Sequence, residues 1–283
     1  MIPAVSPVEA LVLAVVQGVT ELFPVSSLGH AVILPALLHW GMKQDDPGFL
    51  PFLVVMHLGT AVALLAYFWR DWWDFGRAVL FNQGANPADE RRVFLRVVAA
   101  TIPAVIVGAL LEHFIRGAFA RPALAAGFLI LNGVMLFASE RMRRPSTEGG
   151  RRALADLSVI DALVIGAWQC LALIPGLSRS GATMVGGYRA GLDHEDAARF
   201  SFLTGTPIIL AAAVHEAPKL MKQHTGFSGV QWGAGAVAGV VALASLYALM
   251  RWFKTREFKA FDPFAYYCWA AGAVSLALLV FMR

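Results

Sequence analysis

Two short, similar stretches interrupt apolar segments of the chain. Residues 24–30 read PVSSLGH, and residues 175–181 read PGLSRSG. The apolar segments around them cover residues 6–38 and 158–192. Each half-segment has roughly 10 to 17 residues, which is short for a ~30 Å hydrocarbon core at a rise of about 1.5 Å per residue. Proline, serine and glycine at the breaks therefore predict two re-entrant helical hairpins.

The composition of the 283-residue chain is that of a membrane protein. It is 58% hydrophobic and 15% charged, with a mean hydropathy of +0.63, which excludes an ordinary soluble domain. Further apolar stretches approach the ~20 residues of a transmembrane helix: residues 52–69, 93–111, 122–139, 200–217, 229–250 and 263–282. We therefore expect an all-α integral membrane protein with six full transmembrane spans in a lipid bilayer.

The two interrupted segments resemble each other in detail. Residues 6–9 read SPVE and residues 158–161 read SVID, and each is typical of a serine N-cap followed three positions later by an acid. A Leu-x-Pro-x-x-Ser pattern then occurs at residues 22–27 and at residues 173–178. These similarities predict an internal duplication.

The positions of Lys and Arg orient the two copies. If the hairpins return and the six spans cross, 15 of the 23 basic residues lie on one face, in loops 70–92, 140–157, 189–199 and 251–262. The positive-inside rule makes that face cytoplasmic. The first hairpin then enters from outside and the second from the cytoplasm. Since the basic residues flank spans instead of forming a stripe, we expect no nucleic-acid partner.

The predicted organisation is a single polytopic membrane domain with an inverted-topology repeat. Its parts are the first repeat over residues 1–139, a basic cytoplasmic linker over 140–157 and the second repeat over 158–283. Membrane proteins with inverted repeats build polar sites where their broken helices meet near the bilayer midplane. We therefore expect a functional site at the two breaks.

The first break carries the residue types of an acid–base site. Gln17 and Glu21 lie one helical turn apart and share a face. An intramembrane carboxylate is costly, so a functional role is the default interpretation. Ser26, Ser27 and His30 follow within nine residues. Serine at such a position can also act as a simple helix cap.

The second break carries groups that suit a phosphate: Gly176, Ser178, Arg179, Ser180 and Thr183. Arginine presents a planar fork of donors that matches phosphate oxygens, and a helix N-terminus adds unpaired N–H groups. Alternatively, Arg179 forms a structural ion pair with Glu21. Both interpretations can hold before a substrate arrives.

The whole chain resembles the undecaprenyl pyrophosphate phosphatases of the bacitracin-resistance type. Their pattern is Glu or Gln four residues before Glu, then Pro-Val-Ser-Ser-x-Gly-His, and later Pro-Gly-x-Ser-Arg-Ser-Gly-x-Thr. Here these motifs are residues 17–21, 24–30 and 175–183. Position 17 is Gln where many members have Glu, so Glu21 carries more of any metal-binding role.

The resemblance implies hydrolysis of undecaprenyl pyrophosphate to undecaprenyl phosphate and inorganic phosphate, dependent on a divalent cation, Mg²⁺ or Ca²⁺. This reaction recycles the carrier lipid for peptidoglycan synthesis and confers bacitracin resistance. The implied location is the bacterial cytoplasmic (inner) membrane, with the active site open to the outer (periplasmic) face. A homodimer is compatible with the family.

The resemblance and the residue chemistry together suggest a set of roles. Phosphate ligands are expected at Ser26, Gly176, Ser178, Arg179, Ser180 and Thr183. Glu21, with Gln17, is expected to bind Mg²⁺ or Ca²⁺, which prefer oxygen ligands. Ser27 is the expected nucleophile and His30 its base, or the acid for the leaving group. Two alternatives stay open, in which His30 attacks directly or Glu21 is the general base.

A transporter or flippase for a phosphorylated polyprenyl lipid is the main rival function, because inverted repeats with broken helices are common in transporters. Transport alone would not require Glu21, Ser27 and His30 together. The membrane lipid phosphatases that resemble acid phosphatases need a histidine six residues after the arginine. That position is Val185 here.

Overall fold

All regular secondary structure in the described part of the chain is helical. The computed structural model describes residues 6–41, 48–119, 121–142, 152–222, 229–256 and 258–281. The helices are α1 (Pro7–Thr20), α2 (Ser27–Leu37), α3 (Phe49–Tyr67), α4 (Trp69–Phe81), α5 (Pro87–Phe119), α6 (Pro122–Arg141), α7 (Val159–Gln169), α8 (Arg179–Arg189), α9 (His194–Lys222), α10 (Gly229–Thr255) and α11 (Asp262–Phe281). Short 3₁₀ turns occupy Leu154–Asp156 and Cys170–Leu173.

Five of the six expected spans are confirmed by helix length and composition within the described residues. They lie in α5, α6, α9, α10 and α11. The span expected at residues 52–69 qualifies only when α3 and α4 are taken together, and these two helices are bent by 71° at Phe68. The chain is therefore an all-α, multi-pass membrane protein with five spans, or six if the bent pair counts as one.

Helix α4 corrects the expectation of a loop from residue 70 onward. It is amphipathic, because Phe75 and Ala78 are buried whereas Trp69 and Trp73 are 56% and 62% exposed. Tryptophans on the outer face of a bent, amphipathic helix suit the membrane–water interface. The sequence analysis assigned these residues to a loop because charged residues occur in each of the first turns of α4, between the aromatic ones, and so no continuous apolar stretch is visible. Half of the linker expected at 140–157, residues 143–151, lies outside the described residues.

The predicted serine N-caps are confirmed, and each begins a short helix. Ser6 Oγ accepts from the backbone N–H of Glu9, and Ser158 Oγ accepts from that of Asp161. In return, each acid accepts a hydrogen bond from the backbone N–H of its serine. Helix α1 has 14 residues, and α2, α7 and α8 have 11 each. Each is shorter than a transmembrane helix needs to be.

Close backbone packing holds the long helices together. Helix α3 packs on α10, and α6 packs on α11. At Gly59 an added Cβ would collide with the backbone oxygen of Gly235, so only glycine permits this approach of α3 to α10. Small residues at helix contacts are the usual means of packing within a membrane.

Asn132 on α6 contacts both breaks, which are far apart in the sequence. Its Nδ2 donates to the carbonyl oxygen of Pro24 at 2.8 Å, and its Oδ1 accepts from the backbone N–H of Ser178 at 2.9 Å. Gly176 contributes to the same junction with φ of +104°, and a Cβ there would meet the backbone oxygen of Ala125. One amide side chain therefore satisfies backbone groups of both breaks.

We expect the Asn132→Leu variant to lose about 2 to 4 kcal/mol of unfolding free energy, since each buried polar group left unpaired costs about 1 to 3 kcal/mol. The measurement is denaturant unfolding in detergent. Ser139→Ala is the matched control, because Ser139 is buried on the same helix and its hydroxyl has no hydrogen-bond partner. Equal losses in the two variants would contradict the role of Asn132.

Candidate active site

Glu21 lies buried just after α1, at the centre of the polar cluster. Its Oε1 accepts from Arg179 Nη2 at 3.0 Å. Its Oε2 accepts from Ser27 Oγ at 2.6 Å and from Gln17 Nε2 at 3.1 Å, and His57 Nε2 lies 3.2 Å away. Four donors match the acceptor capacity of an ionised carboxylate. This arrangement offsets the cost of burying the charge.

The two serines of the first break have different surroundings. Ser27 begins α2, and its hydroxyl donates to Glu21. Ser26 is the N-cap of α2 with φ of +67°, and its Oγ accepts from the backbone N–H groups of Gly29 and Gly176, each at 3.2 Å. A positive φ at a residue other than glycine is strained, and such strain is found at functional sites. Ser26 therefore ties the breaks together, whereas Ser27 contacts the carboxylate.

His30 is held away from Ser27. Its Nδ1 donates to the carbonyl oxygen of Ser26 at 2.7 Å, and its Nε2 accepts from the Tyr267 hydroxyl at 2.7 Å. The two rings are stacked with their centroids 5.7 Å apart. Both ring nitrogens thus have partners other than Ser27, and the expected contact between His30 and Ser27 is not formed.

Arg179 is the first residue of α8 and extends from the second break to the first. Besides donating to Glu21, it donates through Nη1 to the carbonyl oxygen of Ser201 at 3.3 Å. Its Nε is buried and has no hydrogen-bond partner. The expected ion pair with Glu21 is present, and these two hydrogen bonds use two of the five N–H donors of the guanidinium.

The other expected phosphate ligands are partly committed to the fold. Ser178 Oγ accepts from the backbone N–H of Gly181 and lies 3.1 Å from Ser180 Oγ. Ser180 Oγ contacts the carbonyl oxygen of Phe23 at 3.3 Å, and Thr183 donates to the carbonyl oxygen of Arg179 at 2.7 Å. Ser178 lines the cavity described in the next paragraph. Ser180 and Thr183 do not line it, and their hydroxyls contact backbone carbonyl groups.

A cavity of about 360 Å³ lies over the cluster. Its polar end is lined by Thr20, Glu21, Ser26, Ser27, His57, Gln169, Ser178 and Arg179. Its wall is mostly apolar and comes from α3, α5 and α9, through residues such as Val54, Val105 and Ile208, although α9 also contributes His215 and Glu216. The cavity thus joins a charged pocket to an apolar slot. Gln17, His30, Gly176, Ser180 and Thr183 are not among its lining residues.

Two residues of this site were not found by sequence reasoning. His57 and Asn132 are polar residues within apolar spans, and the rule that singled out Glu21, an ionisable side chain at membrane depth, applies equally to His57. Asn132 carries no charge, so only its contacts with both breaks reveal its role.

The oxygen donors near Glu21 fit a divalent cation that is held mainly by its substrate. Within the described residues no cluster of three or more His, Cys, Asp or Glu side chains could hold a metal ion. Gln17 Oε1 is buried without a hydrogen-bond partner, beside the carboxylate that Gln17 Nε2 contacts. Mg²⁺ is often bound by one or two protein oxygens together with substrate phosphates. Gln17 Oε1 is free for such a role, whereas Glu21 would have to exchange one of its four donors for the cation.

Comparison with known proteins gives relatives over the full length of the chain. An undecaprenyl-diphosphatase of Granulibacter bethesdensis is 49% identical, with 99% of each chain covered. One of Acidiphilium cryptum is 50% identical over 98% of this chain and 99% of its own. One of Mycolicibacterium paratuberculosis is 44% identical over 97% of each. The family described as bacitracin resistance protein BacA matches residues 10–274, and the chain belongs to that family.

Proposed function

We propose that the chain hydrolyses undecaprenyl pyrophosphate to undecaprenyl phosphate and inorganic phosphate, and so contributes to bacitracin resistance. The observation that carries this proposal is the Ser27 hydroxyl, hydrogen-bonded to a buried carboxylate that is itself paired with Arg179. An activated hydroxyl beside a fixed cation is what phosphoryl transfer requires. The named relatives and the family support the same substrate.

The shape of the cavity supports this assignment of the substrate. A pyrophosphate fits the polar end, which Arg179 lines and where Ser178 lies at the N-terminus of α8. The polyprenyl chain fits the slot between α3, α5 and α9, because most of the residues that line it are apolar. The polar end of the cavity thus binds the pyrophosphate head group, and the slot binds the polyprenyl tail.

Ser27 is the proposed nucleophile and Glu21 its base. Glu21 Oε2 lies 2.6 Å from Ser27 Oγ and takes the proton as the oxygen attacks the terminal phosphorus. A bond forms between Ser27 Oγ and phosphorus, the bridging P–O bond breaks, and undecaprenyl phosphate leaves. Water then attacks the phosphoserine, releases inorganic phosphate and restores the hydroxyl. Direct attack by His30 is not supported, because both of its ring nitrogens are engaged elsewhere.

Glu21 and Gln17 are the proposed protein ligands of Mg²⁺ or Ca²⁺. When bound, the cation neutralises charge on the phosphate oxygens. Arg179 contributes to the same neutralisation from α8, and its contact with the Ser201 carbonyl fixes the direction of the guanidinium. Ser26, Gly176, Ser180 and Thr183 hold the two breaks in place around the phosphates.

The proposed architecture is an inverted repeat over residues 1–139 and 158–283, with α1–α2 and α7–α8 as re-entrant hairpins and the linker 140–157 between them. Helix α1 packs on α10, and α7 packs on α5. In this repeat α1 is equivalent to α7, and α5 is equivalent to α10. The contact of α1 with α10 is therefore equivalent to the contact of α7 with α5, as two-fold symmetry requires. The equivalent pairs α3–α9 and α6–α11 also pack on each other.

The proposed location is the bacterial cytoplasmic membrane, with the cavity facing the outer leaflet. Lys and Arg place the C-terminal end of α3 and the N-terminal ends of α5 and α9 on the cytoplasmic side. The apolar lining comes from the opposite halves of these helices, for example Leu53, Ala109 and Ala212. A homodimer stays a prediction of the family resemblance.

We expect Ser27→Ala to lower kcat for phosphate release from undecaprenyl pyrophosphate by about 10³-fold or more, because the nucleophile is lost. Ser26→Ala is the matched control: it removes the neighbouring hydroxyl, and its effect should be mainly on stability. A phosphoserine at position 27, trapped by rapid acid quenching, would support the mechanism. Phosphohistidine at position 30, or equal activity of Ser27→Ala and wild type, would contradict it.

We expect Arg179→Lys to lower kcat/KM by about 10²- to 10³-fold, because a lysine keeps the charge but loses the fork of donors to phosphate. Chelation with EDTA should abolish release by the wild type, and Mg²⁺ or Ca²⁺ should restore it. Glu21→Ala should stay inactive at any cation concentration. Cation-independent release, or an active Glu21→Ala variant, would refute these roles.

A further inference from the structure

His57 is a partly buried polar group, with 20% of its side chain exposed, that the proposed chemistry has not used. It lies on α3, eight residues into that helix, and lines the polar end of the cavity. Its Nδ1 donates to the carbonyl oxygen of Leu53 at 2.8 Å, and its Nε2 faces Glu21 Oε2 at 3.2 Å. The Leu53 carbonyl and the Glu21 carboxylate are both hydrogen-bond acceptors. The imidazole is thereby fixed at one end and directed at the carboxylate at the other.

His57 shares one particular carboxylate oxygen with Ser27. Arg179 holds Oε1 of Glu21, whereas Ser27 and His57 both donate to Oε2. When Arg179 directs donors to phosphate, Glu21 keeps His57 as a neighbour on the side of the nucleophile. The remaining donor, Gln17, is neutral. His57 therefore determines where Oε2 lies relative to the Ser27 hydroxyl.

The backbone around His57 is held rigidly. Two residues later, Gly59 lies against the backbone of Gly235 on α10, and Thr60 donates to the carbonyl oxygen of His57 at 2.8 Å. A side chain on such a helix is restricted to few positions. Catalytic geometry depends on this kind of restriction, since a misplacement of about 1 Å can cost ~10²-fold in rate.

We propose that His57 is a positioning residue for phosphoryl transfer, which holds Glu21 Oε2 in line with Ser27 Oγ. The inference rests on the proposed role of Glu21 as the base. It assigns His57 no proton transfer and no contact with the reacting phosphorus. Helix α3 thereby contributes to the reaction together with the two breaks.

The chain offers a matched control in a second buried pair. His194 Nε2 lies 2.9 Å from Glu140 Oε1, and both side chains are 4% exposed. Aromatic rings of Tyr188, Phe253 and Phe261 surround His194, and neither member of the pair lines the cavity. This pair has the same chemistry as His57–Glu21 but no access to substrate.

The test compares His57→Gln, His57→Asn, His57→Leu and His194→Leu in detergent, with kcat and KM for phosphate release and the unfolding midpoint measured for each. The glutamine amide can occupy the place of ring Nε2, so we expect His57→Gln to keep kcat within about 5-fold. His57→Asn is too short and His57→Leu has no donor, so both should lose about 10- to 100-fold in kcat with KM nearly unchanged. His194→Leu should lower the unfolding midpoint and leave kcat of the folded protein unchanged.

Several outcomes would overturn the proposal. Wild-type kcat in both His57→Leu and His57→Asn would exclude a positioning role. Equal losses in His57→Gln and His57→Asn would show that the donor at Nε2 is not what matters. A rise in KM without a fall in kcat would make His57 a substrate ligand instead. If His57→Leu does not fold, the kcat values of His57→Gln and His57→Asn decide whether a donor at the place of Nε2 is required. Failure of the proposed function is distinguishable, since the wild type itself would then release no phosphate.

Discussion

The buried ion pair between Glu21 and Arg179 is the interaction on which the rest of the site depends. It joins two breaks that are more than 150 residues apart in the sequence, at 3.0 Å between Oε1 and Nη2. Neither charge is stable alone in an apolar bundle, because burying an unpaired charge costs several kcal/mol or more. The surrounding hydrogen bonds through Asn132 and Ser26 keep the breaks at the distance that the pair requires.

The two breaks share a pattern, but their charged positions differ. The position four residues after the proline is Leu28 in the first break and Arg179 in the second. The position three residues before the proline is Glu21 in the first and Ala172 in the second. Had both carried the same charged residues, like charges would face each other at the junction. The junction instead holds one carboxylate and one guanidinium, which attract each other, and the guanidinium can also bind a phosphate.

The sequence predicts those features that local chemistry decides. The N-caps at Ser6 and Ser158 follow from a serine and an acid three residues apart, and they form as expected. Of the contacts across the bundle, the Glu21–Arg179 pair was predicted, because two opposite charges at membrane depth need partners, but most others were not. His30 lies three residues after Ser27, which suggests a shared helical face, yet the Tyr267 hydroxyl on a distant helix determines its orientation. Likewise, nothing near His57 in the sequence indicates that α3 brings it to Glu21.

Because the wall of the cavity is mostly apolar, the substrate concentration that matters for this protein is the concentration within the membrane. A ligand whose tail lies between α3, α5 and α9 reaches the site from within a leaflet, so its supply depends on lateral diffusion in two dimensions. Saturation then follows the mole fraction of the lipid in the leaflet and not its amount per volume of water. Adding inert lipid or detergent dilutes the substrate at constant bulk concentration, and the apparent affinity falls accordingly.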